Sequence, residues 1–336
     1  MAIDTIPRHE EIMVSRSGSG IRIGTAVMLL TIIGLAFLPY IAFESTTSVL
    51  IRLFVLIALA SMWNLLAGFG GLVSIGQQAY IGVGAYTVVA LDSQGVSPFL
   101  AIIFAVVTAS LLSIPTSLLA FRLRGDYFAV GTWVIAEVYR LVVIQVDSVG
   151  GGDGKSLTGL YGIDPTMRAA AVYWIALGLA VVTVLACFAL LRGRIGLSLK
   201  AIRDDEVAAR AGGVDVTRVK RIVYLVSAAG CGAAGAVLAV DAVRVQPDAI
   251  FRVQWSAYMI VIVIIGGIGP PEGPILGALV FFALQQFLAD LGTWYLMILG
   301  ILAVLFAIVI PQGLWGIIAD RTSFRLFPTS YMLKKR

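Results

Sequence analysis

Charge is scarce in this sequence. Only 13% of its 336 residues are Asp, Glu, Lys or Arg, against about a quarter in soluble domains. Apolar residues make up 60% and mean hydropathy is +0.98. Length alone would suggest two or three soluble domains, but a soluble protein could not hide this much apolar surface. The class is a polytopic membrane protein. Histidine is nearly absent. His9 sits near the start, so a histidine-based metal or acid–base site deeper in the chain is excluded. Cysteine is also scarce. Cys187 and Cys231 both lie inside apolar runs, support neither a disulfide framework nor a zinc site, and read as small core residues. No nucleophile elbow, metalloprotease motif or paired-carboxylate spacing occurs, so no catalytic residue and no metal ligand is assigned.

What the sequence does hold is apolar runs. A helix needs about 20 mostly apolar residues to cross about 30 Å of hydrocarbon. Residues 23–43, 169–191, 222–240 and 253–271 each fit one crossing. The run 53–91 is interrupted by Gly68-Phe69-Gly70-Gly71 and reads as two. Residues 93–121, 127–146, 273–289 and 291–319 supply four more. The expected fold is therefore all-α, with about ten transmembrane helices. A signal peptide at 23–43 is disfavoured because the run is too long and Phe37-Leu38-Pro39-Tyr40-Ile41 lacks a small-x-small site.

The charges orient this topology. With a cytoplasmic N-terminus, ten crossings return the C-terminus to the cytoplasm. Cytoplasmic segments then hold Arg8, Arg16 and Arg22; Arg122 and Arg124; the eight basic residues of 192–221; and Arg321, Arg325, Lys334, Lys335 and Arg336. Those are 18 of the 24 basic residues, as the positive-inside rule requires. The organisation is a cytoplasmic segment 1–22, a transmembrane domain 23–319 containing a cytoplasmic loop 192–221, and a cytoplasmic tail 320–336.

Val149-Gly150-Gly151-Gly152-Asp153-Gly154-Lys155-Ser156 nearly matches a phosphate-binding P-loop, but Val149 replaces the first glycine. A transmembrane helix precedes it where a buried strand is required. It reads as a flexible external glycine-rich loop, and the chain is expected to bind no nucleotide.

Glu137 and Arg140 are the ionised pair well inside a crossing. At i, i+3 they face each other and partly offset the cost of their burial. They line a path or an interface, or form a self-satisfied structural pair, and the sequence leaves both readings open. Residues 72–86 are the most polar part of any crossing. Gln77, Gln78, Tyr80 and Tyr86 offer hydrogen bonds, and Gly76, Gly82 and Gly84 permit a break. Such segments survive in bilayers when buried in protein or facing a cavity, so we read a discontinuous helix beside the translocation path. The alternative is a close helix contact. Ala228, Gly232 and Ala236 form a small-residue packing face. The turn 266–274, rich in glycine and proline, cannot be continuous helix.

The loop 192–221 carries eight basic and four acidic residues. Ser198 can cap a helix. Ala201, Ile202, Ala208 and Ala209 share one face with Asp205, while Lys200, Arg203, Glu206 and Arg210 spread over the rest. Gly212-Gly213 ends the helix. A small apolar face suits docking into a groove of another protein better than lipid insertion, which wants bulky anchors.

The stretch Gly193-Arg194-Ile195-Gly196-Leu197-Ser198-Leu199-Lys200-Ala201-Ile202-Arg203-Asp204-Asp205-Glu206-Val207-Ala208-Ala209 resembles the cytoplasmic coupling loop of permeases in branched-chain amino acid ABC importers. Ser74-Ile75-Gly76-Gln77-Gln78-Ala79-Tyr80, Leu123-Arg124-Gly125-Asp126-Tyr127-Phe128-Ala129 and Gly266-Gly267-Ile268-Gly269 with Gly273-Pro274-Ile275-Leu276-Gly277-Ala278 resemble the same family, in family order. The likeness is to the M-type of its two permeases. Permeases for urea, short-chain amides and aromatic acids share these stretches. The resemblance implies an inner-membrane subunit that forms half of a path for branched-chain or other hydrophobic amino acids. Its implied partners are a second permease, two cytoplasmic ATPases holding ATP and magnesium, a periplasmic binding protein and membrane lipid, with no nucleic acid. Residues 198–213 would be the coupling helix, with Arg203, Asp204, Asp205 and Glu206 near the ATPase groove. A stand-alone channel or secondary transporter is the rival. It usually places a coupling-ion site near the midplane, and only Glu137 could serve.

Overall fold

The computed structural model describes residues 12–15, 19–40, 44–123, 125–288, 294–322 and 332–335. His9, Arg8, Arg16, Arg124, Arg325 and Arg336 lie outside the described residues, as do the run ends at 41–43 and 289–291.

Each apolar run contains a helix. In order these are α1 (Ser19–Phe37), α2 (Glu44–Asn64, continued by a π-helical turn Leu65–Phe69), α3 (Gln78–Asp92), α4 (Pro98–Ala120), α5 (Asp126–Ile144) and α6 (Pro165–Arg192). Two short helices, α7 (Arg194–Asp204) and α8 (Glu206–Ala211), precede α9 (Val216–Ala242). A single turn, α10 (Pro247–Ile250), leads into α11 (Gln254–Gly266), followed by α12 (Gly273–Leu288), α13 (Trp294–Val309) and α14 (Gly313–Thr322). Among the described residues, six helical stretches have the length and hydropathy of a crossing, and α13–α14, bent by 40°, would make a seventh. The remaining segments are shorter. The 15 residues of α3 rise only about 22 Å, short of the ~30 Å of a hydrocarbon core.

The centre of the molecule is α2 and α9, whose apolar stretches are mostly buried, whereas that of α5 is mostly exposed. α9 packs on α3 and α4, α2 on α6, and α11 on α12 and α2. The α3–α9 crossing depends on glycine, since a Cβ on Gly84 would overlap the Gly232 carbonyl and one on Gly235 the Ile81 carbonyl. Ala228, Gly232 and Ala236 are buried too, and a Cβ on Gly232 would meet Ala109 of α4, so the small-residue face does pack helices together. Outer helices turn Leu100, Ile103, Trp133, Val138 and Val142 outward, the inverse of a soluble surface.

Among the described residues there are two small two-stranded sheets. β1 (Ile12–Ser15) pairs antiparallel with a strand at Met332–Lys335, and between them β2 (Lys155–Ser156) pairs with β3 (Arg244–Val245). The glycine-rich loop, expected to be flexible, is an ordered cap. Asp92 at the end of α3 accepts from the amides of Thr158 and Gly159 at 2.7 and 2.8 Å. Lys155 Nζ donates to Ser93 Oγ and the Ser148 carbonyl, both at 2.8 Å. The amides of Gly150, Gly151 and Gly154 donate to carbonyls of the same loop. This loop therefore uses internally the donors that a phosphate cradle would point at its ligand.

Candidate functional site

The break before α3 is built from polar side chains. Between the π-turn and α3 the backbone of 71–77 is non-helical, and its polar groups need partners away from water. Trp63 Nε1 donates to the Ser74 carbonyl at 2.8 Å, and the amide of Ile75 donates to Thr132 Oγ1 of α5 at 3.2 Å. Gln77 Nε2 donates to Ser74 Oγ at 3.4 Å. Its Oε1 accepts from Ser227 Oγ at 3.4 Å and Cys231 Sγ at 3.5 Å, both on α9. Gln78 Oε1 accepts from Ser256 Oγ of α11. Tyr80 packs edge-on against Tyr224 with centroids 5.8 Å apart, and Tyr86 stacks on Phe251 at 6.0 Å. All four of these α3 side chains are buried within the chain. The discontinuity read from the sequence is present, and Gln77 and Gln78 fasten it to α9 and α11.

Glu137 and Arg140 stand apart from this cluster, half-buried on α5. Arg140 Nε donates to Glu137 Oε1 at 2.8 Å, and Nη1 donates to Asp248 Oδ1 of α10 at 2.6 Å. The pair is thus a triad that ties α5 to α10. Asp248 was not foreseen because it lies 108 residues away in sequence, and no local pattern marks it.

The loop 192–221 differs from its expected form. Two helices occupy it, meeting at Asp205. Ser198 caps neither, being inside α7 with its hydroxyl on the Arg194 carbonyl at 3.1 Å. The break has a local cause: Asp205 is extended, and its carboxylate accepts from the amides of Val207 and Ala208 at 2.8 and 3.0 Å, an N-cap for α8. Leu199, Ile202 and Ala209 are buried against the bundle, with Ala201 and Lys200 half-buried. The apolar face therefore packs inward, while Leu197, Asp204, Asp205, Val207 and Ala208 face out, Val207 at 79% exposure. Glu206 pairs with Arg210 at 3.2 Å and with Lys220 of α9 at 2.6 Å.

Arg203 does something else. Its Nη1 donates to the Gly68 carbonyl in the π-turn at 2.7 Å. One turn earlier, Asn64 Oδ1 accepts from the Gly269 amide at 2.9 Å, and Nδ2 donates to the carbonyls of Gly269 and Pro270 at 3.3 Å each. Gly267 and Gly269 have φ of 116° and 113°, conformations that favour glycine. The loop helices, the end of α2 and the α11–α12 turn thus meet at one junction. Asn64 is the residue that sequence reasoning missed here. A polar residue closing the apolar run after Arg52 was its only signal.

The chain matches the family model described as branched-chain amino acid transport system / permease component over residues 45–309. It is 28% identical to the high-affinity branched-chain amino acid transport system permease protein LivM of Salmonella typhimurium, over 93% of this chain and 80% of that protein. It is also 28% identical to the LivM of Escherichia coli, over 90% of this chain and 77% of that one. A probable LivM of Methanocaldococcus jannaschii is 25% identical over 56% of each chain. No solved structure matches the chain significantly. The matched span runs from the start of α2 to the end of α13 and takes in the broken helix, the loop helices and their junction, so this chain belongs to the family of branched-chain amino acid transport permease components.

Proposed function

We propose that the chain forms one half of the translocation path of an ATP-driven importer in a bacterial inner membrane. Branched-chain or other hydrophobic amino acids are its cargo, the class its relatives are named for. A second, homologous permease supplies the other half, a periplasmic binding protein delivers the cargo, and two cytoplasmic ATPases dock on α7–α8 and hydrolyse ATP. The chain crosses the membrane ten times with both ends in the cytoplasm. The pairing of β1 with Met332–Lys335 supports ends on one face.

One observation carries this reading. α7–α8 turns Leu197, Val207 and its acidic residues outward, while Arg203 and Ile202 hold the same element to the bundle. An element held on one side and open on the other suits the transfer of movement from a partner to the membrane helices. Glu137 and Arg140, on the exposed helix α5, border the path. Gln77, Gln78, Tyr80 and Tyr86 act one layer behind and set the position of α3. The test is purification and uptake. The chain should co-elute with a second permease and two ATPases, and uptake by the reconstituted complex should stop when both ATPases carry hydrolysis-blocking substitutions. Uptake that persists would sink the proposal in favour of a stand-alone transporter.

A further inference from the structure

At the end of the bundle opposite the loop helices lies a cavity of about 360 Å³, between the start of α2, the end of α9 and the start of α11. α9 begins beside α8 and ends at this cavity, and its 27 residues separate the two places by about 40 Å. Arg52, Arg252 and Asp241 line the cavity together with apolar walls that include Val55 and Leu238, and with the indole of Trp255. Arg244 also reaches it, but its guanidinium is engaged with the Asp153 carbonyl at 3.2 Å. Arg52, Arg252 and Asp241 have no side-chain hydrogen bond or ion pair at bonding distance among the described residues, although Arg52 and Arg168 both lie close enough to act on Asp241 electrostatically. Asp241 is half-buried. Arg52 and Arg252 are exposed, so the cavity presents both signs of charge to whatever enters it, and a ligand with matching charges would gain charge-assisted contacts there.

We propose that this cavity receives an α-amino acid zwitterion with an apolar side chain, a proposal that rests on the importer reading above and adds where the cargo first meets this subunit. Its ammonium faces Asp241, its carboxylate faces Arg52 and Arg252, and its side chain lies against Val55 and Leu238. An anion alone, such as a phosphate, would satisfy the arginines but abut the aspartate. A zwitterion answers both charges, and the apolar wall accounts for the rest of the molecule.

The test uses the complete transporter with its binding protein in proteoliposomes and labelled leucine as the probe. Isocaproate, which is leucine without its ammonium, serves as competitor. Asp241→Asn and the double variant Arg52→Gln/Arg252→Gln should each slow leucine uptake about tenfold or more, the size of one charge-assisted contact. Asp241→Asn should also narrow the preference for leucine over isocaproate. Leu238→Trp, which fills the cavity without touching a charge, should slow uptake as well. Co-purification with the second permease checks that each variant folds. Saturation-transfer NMR on the wild-type membrane complex, with the binding protein left out, should detect leucine and not isocaproate, which tests the site even if a variant fails to assemble; no leucine signal there would count against it. Wild-type uptake and preference in all three variants would overturn the cavity assignment and leave the importer reading standing. A phospholipid held by the wild type and lost from the double variant, with leucine uptake intact, would overturn it in favour of a lipid site. Failure of the unmodified complex to take up leucine with ATP would overturn the importer reading itself.

Discussion

Gln77 shows how much one side chain carries in this bundle. Its amide joins the irregular segment before α3, at Ser74, to α9, at Ser227 and Cys231. Gln77→Leu keeps the bulk and removes these bonds. Ser227 retains its bond to the Met62 carbonyl at 3.1 Å, so the expected loss is about 1 kcal/mol, between the small average for membrane hydrogen bonds and the cost of unsatisfied buried groups. Uptake should slow and the unfolding temperature should fall together, because α3 loses its position. A wild-type uptake rate would reduce Gln77 to packing alone. Gly235→Leu is the harsher change. The added carbon meets the Ile81 backbone carbonyl, which cannot swing aside as a side chain can. Overpacking typically costs 1–3 kcal/mol where relief is available, and here the relief would require α3 and α9 to part. The variant should fail to give monodisperse protein in size-exclusion chromatography, and normal yield and elution would refute the close-approach argument.

The loop helices are legible at the scale of the element only in part. Composition and charge suggested a docking element at 192–221, and the helix end expected at Gly212 is present, closing α8. The sequence pattern suggested a single helix because Ala201, Ile202, Ala208 and Ala209 share a helical face. Asp205 decides otherwise, since its side chain offers the next turn a cap and its backbone is extended, a competition between side chain and helix that Asp commonly wins. The split changes what substitutions should do. Asp205→Ala removes the cap and should destabilise α8 by about 1 kcal/mol, lowering binding-protein-stimulated ATPase activity. Asp205→Asn, which caps as well, should restore it. If Asn behaves like Ala, the charge itself meets the partner. Arg203 and Val207 should separate in the same way. Arg203→Ala cuts the bond to Gly68 inside the protein, so ATPases should still co-purify while leucine taken up per ATP hydrolysed falls. Val207→Asp alters an outward side chain and should instead weaken co-purification of the ATPases. Identical behaviour of the two variants would contradict the division between an inward and an outward side of this element.

At the scale of the whole molecule, the scarcity of charge was the most readable property, because it is a sum over residues and needs no knowledge of contacts. It placed apolar runs where the helices are, and the pattern of arginines and lysines suggested which loops share a side. Partnerships between distant residues were not readable: Asn64 with Gly269, Arg140 with Asp248, and the meeting of Arg52 with Asp241 at one cavity all join segments more than 100 residues apart. The crossing count stands between these cases. Helices α3 and α12 are 15 and 16 residues long, and α11 reaches 20 residues only together with α10, so hydropathy alone does not decide whether each spans or turns back. Labelling does. Cys187 and Cys231 are buried, so background reaction with an impermeant maleimide should be low. Gln94→Cys and Gly152→Cys, both exposed, should label in intact cells. Asp204→Cys and Ile268→Cys, also exposed, should label only after permeabilisation. Ile268 is the decisive position, because it sits between α11 and α12. If Ile268→Cys labels from outside while Asp204→Cys does not, one of the short helices does not cross. The Asn64–Gly269 bond would then place the end of α2 on the outer side, away from Arg203, which the 2.7 Å bond from Arg203 to Gly68 does not allow.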